Sequence, residues 1–234
     1  MDTCKQIIIQ YAEKQKSFST NDLLYSLSKL YKWSYSTIKC NITKLLDEGV
    51  LSKISKGVYC LTTSKNIFKI IPNKTVKNIF SLLTKKFPFA TFCVYNGRVL
   101  SALQHHLSEN NITYVETNKE AVESVFGFLK DNGFTVYQSP NSDFVYRYID
   151  LKNEAIIVKP LVSESPMENI DGVNVPTIEK LLVDIQKDDD FSYLQGAESE
   201  NMLENAQTLF HINRSKLVRY GKRRGLTIKM EQND

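Results

Sequence analysis

Residues 44–61 read KLLDEGVLSKISKGVYCL, with Gly49 and Gly57 eight positions apart among apolar residues that alternate at strand spacing. A glycine just past the last helical turn takes the left-handed conformation without a Cβ penalty. Gly49 is therefore expected to stop a helix and turn the chain into a strand over 50–54. Ser55-Lys56-Gly57 reads as a tight turn whose positive-φ position suits Gly57, and 58–61 returns as the partner strand, Tyr59 and Leu61 sharing a face.

Upstream, the apolar period is helical. Residues 3–15 carry Ile7, Ile8, Tyr11 and Ala12 on one face, and Phe18 ends that helix. Ser19-Thr20-Asn21-Asp22 supplies capping side chains for a second helix with Leu23, Leu24, Leu27, Leu30 and Tyr31 in period, and Trp33 packs where it stops. Ser34 caps a third helix whose buried stripe is Ile38, Ile42, Leu45 and Leu46. At about 100° per residue the opposite face shows Ser36, Lys39, Cys40 and Thr43, flanked by Thr37 and Lys44, with the acid Asp47 at the far end.

Three helices followed by a β-hairpin is the pattern of a winged helix-turn-helix. On that reading Ser36, Thr37, Lys39, Cys40 and Thr43 enter the major groove of double-stranded DNA, while Lys44, Lys53 and Lys56 contact phosphate. A plain solubilising role for the lysines, in a module that binds protein, is the competing reading.

The remaining chain alternates strands with helices, so the fold class expected is α+β or mixed α/β. Residues 1–64 form the winged helix, 65–73 a linker, and 74–234 an α/β domain with a mixed sheet and C-terminal helices. Expected elements are helices over 74–87, 99–107 and 119–130, and strands TFCVY, ITYVET and FTVYQS. FVYRYI and EAIIVKP flank the turn residues 150–153 as a hairpin, Pro176 and Thr177 open a helix, and 198–209 and 213–224 close the chain as helices around a hinge at Phe210-His211-Ile212.

Charge is patterned more than it is large. The net charge is only +4, but 65–86 holds six lysines and no acid, and 214–224 holds Arg214, Lys216, Arg219, Lys222, Arg223 and Arg224 with no acid. Between them lies an acidic stretch with Asp188, Asp189, Asp190, Glu198, Glu200 and Glu204. No apolar run reaches membrane-spanning length, the start MDTCKQIIIQ lacks a signal peptide, and the four cysteines show no CxxC pairing. A cytoplasmic protein without disulfide, metal or cofactor is expected. The phosphate-loop, dinucleotide, serine-hydrolase and zinc-peptidase motifs are absent, so no enzyme is expected. His105 and His106 are adjacent and point about 100° apart on a helix, so they do not chelate one ion together.

Two stretches carry a family resemblance. The wing, Leu46-x-x-Gly49-x-Leu51-x-x-Ile54-x-x-Gly57-x-Tyr59-x-Leu61, and the segment Val173-x-Val175-x-Thr177-x-Glu179-Lys180-x-Leu182-Val183-Asp184 resemble the AbiEi family of antitoxins from type IV, abortive-infection toxin–antitoxin systems. The basic residue beside the wing-tip glycine, often Arg in that family, is Lys56 here, which loses bidentate contact. The resemblance implies a DNA-binding transcriptional autorepressor that recognises inverted repeats in its own promoter. It also implies a C-terminal domain that counteracts a cognate nucleotidyltransferase toxin. Glu179 and Asp184 are its candidate antitoxin residues, with Glu179 complementing the first turn of its helix, and Lys216, Arg219, Lys222 and Arg223 a candidate second nucleic-acid contact. Other readings are a metal-dependent nuclease built on Asp143, Asp150 and Lys152, and a non-enzymatic protein adaptor.

Overall fold

The computed structural model describes residues 3–15, 17–28, 31, 33–55, 57–62, 67–104 and 109–228. The chain divides into two compact units, Met1–Ile67 with Leu209–Asn213, and Phe68–Thr208 with Arg214–Asp234.

The first unit runs α1 (Cys4–Glu13), β1 (Phe18–Ser19), α2 (Thr20–Ser28), α3 (Tyr35–Asp47), β2 (Leu51–Ser55) and β3 (Val58–Leu61). Short polar side chains start the helices. Thr3 and Gln6 exchange backbone and side-chain hydrogen bonds as a capping box, Ser19 and Asp22 do likewise ahead of α2, and the Ser34 hydroxyl accepts from the Thr37 amide. The apolar faces then close on one another, with Ile8, Leu23, Ile38, Ile42, Leu45 and Leu51 at 2% exposure or less. Each such side chain contributes roughly 1.5–3 kcal/mol by leaving water. The ring of Trp33 stacks on Tyr31, their centroids 4.5 Å apart.

Gly49 answers to two constraints. Its φ is +71°, and the amides of Gly49 and Val50 return to the carbonyls of Leu46 and Leu45, which closes the end of α3. A Cβ there would also stand 2.9 Å from Cδ2 of His211, because residues 209–213 pack against this turn. The hairpin pairs Leu51 with Leu61 and Lys53 with Tyr59, with a register shift between Lys53 and Ser55. Gly57 has φ +79°, whereas Lys56 and Leu30 lie outside the described residues. Phe18 does more than end α1. It pairs antiparallel with Tyr59, so the sheet has three strands in the order β1-β3-β2.

The second unit takes in 68–73, where Phe68, Ile70 and Pro72 are buried, while 65 and 66 of the expected linker lie outside the described residues. It continues with α4 (Lys74–Lys86), β4 (Phe92–Asn96), β5 (Thr113–Thr117), α5 (Val122–Asp131), β6 (Val136–Gln138), α6 (Ser142–Tyr148) and β7 (Ile156–Pro160). Next come β8 (Met167–Ile170), β9 (Val173–Pro176), α7 (Ile178–Asp184), α8 (Ala197–Leu209) and α9 (Arg214–Arg223). The sheet is mixed, in the order β4-β5-β7-β6: β4 runs antiparallel to β5, while β5, β7 and β6 are parallel. Covered on both faces, β5 and the first four residues of β7 are buried throughout.

Two expectations are corrected. Residues 144–149 do not form a hairpin strand with β7. They lie largely in α6, capped by Asn141, because Val145 and Ile149 recur at helical spacing and β7 finds its partners in β5 and β6. In place of an α-helix over 99–107 there is a 3-10 turn, Gly97–Ala102, and 105–107 lie outside the described residues. The β8–β9 hairpin was not anticipated. Its turn holds Asp171 and Gly172 at φ +51° and +80°, the Asp-Gly signature of a two-residue loop.

Candidate functional site

Two surfaces carry chemistry, one in each unit. In the first, Ser36, Thr37, Lys39, Cys40, Thr43 and Lys44 are all exposed along α3, and Lys53 is exposed on β2. The hydroxyl of Thr43 donates to the Lys39 carbonyl at 3.0 Å, which leaves its lone pairs free to accept. Thr37 shares the Ser34 hydroxyl at 2.9 Å. Tyr35, which the sequence reading passed over, is also exposed, and the Lys39 ammonium lies 5.9 Å from its ring centre. The acids at the far end of α3 are engaged elsewhere: Asp47 accepts from the Asn213 amide at 2.8 Å, and Glu48 pairs with Lys5. His211 completes that end, its Nε2 lying 3.2 Å from the Leu46 carbonyl oxygen. The face left open is polar and basic.

In the second unit α7 is buried along its whole length, charged residues included. Glu179 accepts from the Thr177 hydroxyl at 2.5 Å instead of facing solvent at the helix start. Lys180 is 1% exposed, and its ammonium donates to Glu116 on β5 at 2.7 Å and to Asp184, one turn on, at 2.5 Å. Asp184 also accepts from the Tyr220 hydroxyl at 2.8 Å, and the Arg224 guanidinium lies 3.8 Å away. Arg224 in turn pairs with Asp188. Lys159 on β7 then links Asp188 at 2.8 Å with Asp190 at 2.7 Å, beneath the rings of Tyr114 and Phe191.

The result is a continuous chain of alternating sign: Glu116, Lys180, Asp184, Arg224, Asp188, Lys159, Asp190. Burial opposes the charge on both lysines, yet the flanking carboxylates hold them well above the usual lysine range. Burial pushes Asp184 and Asp190 upward. Asp188 is desolvated too, but Lys159 and Arg224 on either side hold it below the usual carboxylate range.

Sequence reasoning named Asp184 and missed the other members. The spacing of Lys180 and Asp184 on a helix was a usable signal, and Asp188 and Asp190 read as solvated acids in an acidic run. Nothing local points to Glu116 or Lys159, which meet only because β5 and β7 pair in parallel with those two residues opposite. Among the α9 candidates, Arg219 and Lys222 are exposed, Lys216 is half-buried near Glu168, and Arg223 binds Ser163 and Glu164. Asp143 sits in the first turn of α6, while Asp150 accepts from the Lys152 amide and the Asn153 side chain in the following turn. Among the described residues, no group of three or more His, Cys, Asp or Glu is arranged to hold a metal ion, and no helix is long and apolar enough to cross a membrane.

Fold and sites together define a two-unit α+β protein with an open polar helix face in one unit and a buried ion-pair chain in the other. The chain belongs to DUF6577, a family of unknown function whose pattern matches residues 37–233. It is also similar to a curated protein, the arginine–tRNA ligase of Orientia tsutsugamushi (strain Boryong), at 27% identity over 140 residues. That match takes in 57% of this chain but spans 21% of the length of the ligase.

Proposed function

We propose that the protein is a DNA-binding transcriptional regulator of the antitoxin type, with its first unit acting as a winged helix-turn-helix. In this reading α3 enters the major groove and the β2–β3 hairpin is the wing beside it. The observation that carries the reading is the exposed face of α3. Six polar or basic side chains stand there without an acid among them, while Asp47 and Glu48 are held by Asn213 and Lys5. Such a face suits the base edges and phosphates of duplex DNA, which reward hydrogen-bond donors and positive charge. A single module of this kind buries little DNA surface, so two copies on an inverted repeat make the expected complex.

The second unit, in the antitoxin reading, counteracts a nucleotidyltransferase toxin encoded beside it. A mobility shift on the DNA upstream of the gene, at about 0.15 M salt with random competitor, tests the first half. A discrete complex that survives competitor is expected. A smear abolished by competitor, or no complex, overturns the regulator reading. Co-expression with the adjacent gene tests the second half: growth must be restored by the full chain.

A further inference from the structure

The ion-pair chain of the second unit forms the wall of a cavity of about 330 Å³. Three independent features of that cavity point to a ligand. The first is its position. Glu116 lies near the carboxyl end of β5, Ser139 just beyond β6, and Lys159 and Pro160 end β7, so the cavity opens where three parallel strands finish. In open sheets of parallel strands that end is the crevice where ligands lodge, because the connecting loops diverge there.

The second feature is charge balance. The chain holds four carboxylates, Glu116, Asp184, Asp188 and Asp190, against three cations, Lys159, Lys180 and Arg224. One negative charge is therefore in excess where Glu116 and Asp184 side chains are 2% and 1% exposed. Uncompensated charge in such surroundings is costly. Lys187 and Asp189, both exposed at the opening, offset each other and leave the excess in place. The third feature is the remaining wall: Pro140, Pro160 and Val162 offer apolar surface beside the charged groups.

We propose that this cavity binds a small organic cation, a primary ammonium or guanidinium on a short aliphatic body, whose head group supplies the missing positive charge while its body lies against the prolines and Val162. A proton would balance the charge but needs no cavity of this volume. A metal ion lacks a ligand set, since no group of three or more ligating side chains converges among the described residues. This assignment is independent of the DNA-binding reading and stands or falls without it.

The test is calorimetric titration of the full chain with n-butylammonium chloride and with n-butylguanidinium chloride, against n-butanol, sodium butyrate and potassium chloride. Saturable one-to-one binding of at least one of the two cations is expected, at a Kd of about 1 mM or tighter. The alcohol, the carboxylate and potassium give none. Asp189→Asn, at an exposed rim position, weakens binding about two- to fivefold. Glu116→Gln removes the excess charge and abolishes binding. Should Glu116→Gln not fold, as judged by its melting curve, Asp189→Asn still decides the matter. Absence of saturable heat for both cations up to about 20 mM, well above the expected Kd, overturns the proposal. So does binding of butanol or butyrate as strong as that of the organic cations, saturable binding of potassium, or binding indifferent to Asp189→Asn.

Discussion

Lys180 is a lysine at 1% exposure in a helix with no solvent-facing side, a place where lysine is rarely found. Its presence is accounted for by Glu116 and Asp184, which surround the ammonium and repay its loss of water. The consequence is asymmetric. Removing Lys180 leaves Glu116 buried without its cation and Asp184 with only the more distant Arg224, so Lys180→Met is expected to destabilise the second unit by about 3–5 kcal/mol. Adding Glu116→Gln to that variant removes the stranded charge and recovers part of the loss. Urea unfolding followed by hydrogen exchange in β5 and β7 measures both. A Lys180→Met chain as stable as the parent would show that the ion pairs contribute nothing net. The Glu179-Lys180 and Val183-Asp184 pairs were visible as a motif. Their mutual contact was legible in part, because positions i and i+4 share a helical face.

At the scale of elements, α3 and its hairpin were the most readable part of the chain. Ser34 caps, Ile38, Ile42 and Leu45 face inward, and Gly49 ends the helix, each by a local rule that needs no distant contact. If α3 and β2 meet DNA as proposed, Lys44→Ala and Lys53→Ala each remove one phosphate contact. The slope of log Kobs against log salt concentration then flattens by about 0.9 per contact, so the double variant loses about 1.8. A fluorescence-anisotropy salt series reads this, and an unchanged slope would take both lysines out of the interface. Elsewhere local rules conflicted. In SDFVYRYID the aromatic and aliphatic residues satisfy both a two-residue and a helical period, and only the pairing of β7 with β5 and β6 settles the matter. The Asp171-Gly172 turn, by contrast, was a signal present in the sequence and passed over.

For the molecule as a whole, the two units differ in what limits them. The first rests on one apolar cluster of helix and hairpin residues. The second buries a chain of ions inside its sheet layer, and its stability is tied to pH accordingly. Lys159 and Lys180 are raised in the folded state, so their contribution is complete below about pH 10.4, the ordinary lysine value. It is lost as pH rises from there through their higher folded values. Asp188 is held low, so its contribution is present above about pH 3.9 and is lost as pH falls through its folded value. Asp184 and Asp190, raised by burial, oppose that trend. The buried Cys93 thiol, held well above its ordinary value, starts a shallow decline of the urea midpoint above about pH 8.5, and the two lysines make the decline steep beyond about pH 10. Lys159→Met flattens the alkaline limb. An alkaline limb as steep in Lys159→Met as in the parent would contradict the pairing.

What the sequence determined by itself is the set of features fixed within a few residues: helix caps, apolar stripes, the left-handed glycine at 49, and the basic, acid-free face of α3. These follow from hydrogen bonding and periodicity along one stretch of chain, and they were enough to place a three-helix and hairpin unit at the start. Only the tertiary structure decided which strands pair in the second unit. It also brought residues 209–213 onto the end of α3 and set Glu116 and Lys159 beside Lys180 and Asp188. Parallel pairing joins residues dozens of positions apart, and a charge buried by distant neighbours looks in the sequence like any solvated one. The physical reason is that burial and Coulomb energy depend on position in space, whereas periodicity and capping depend on position along the chain.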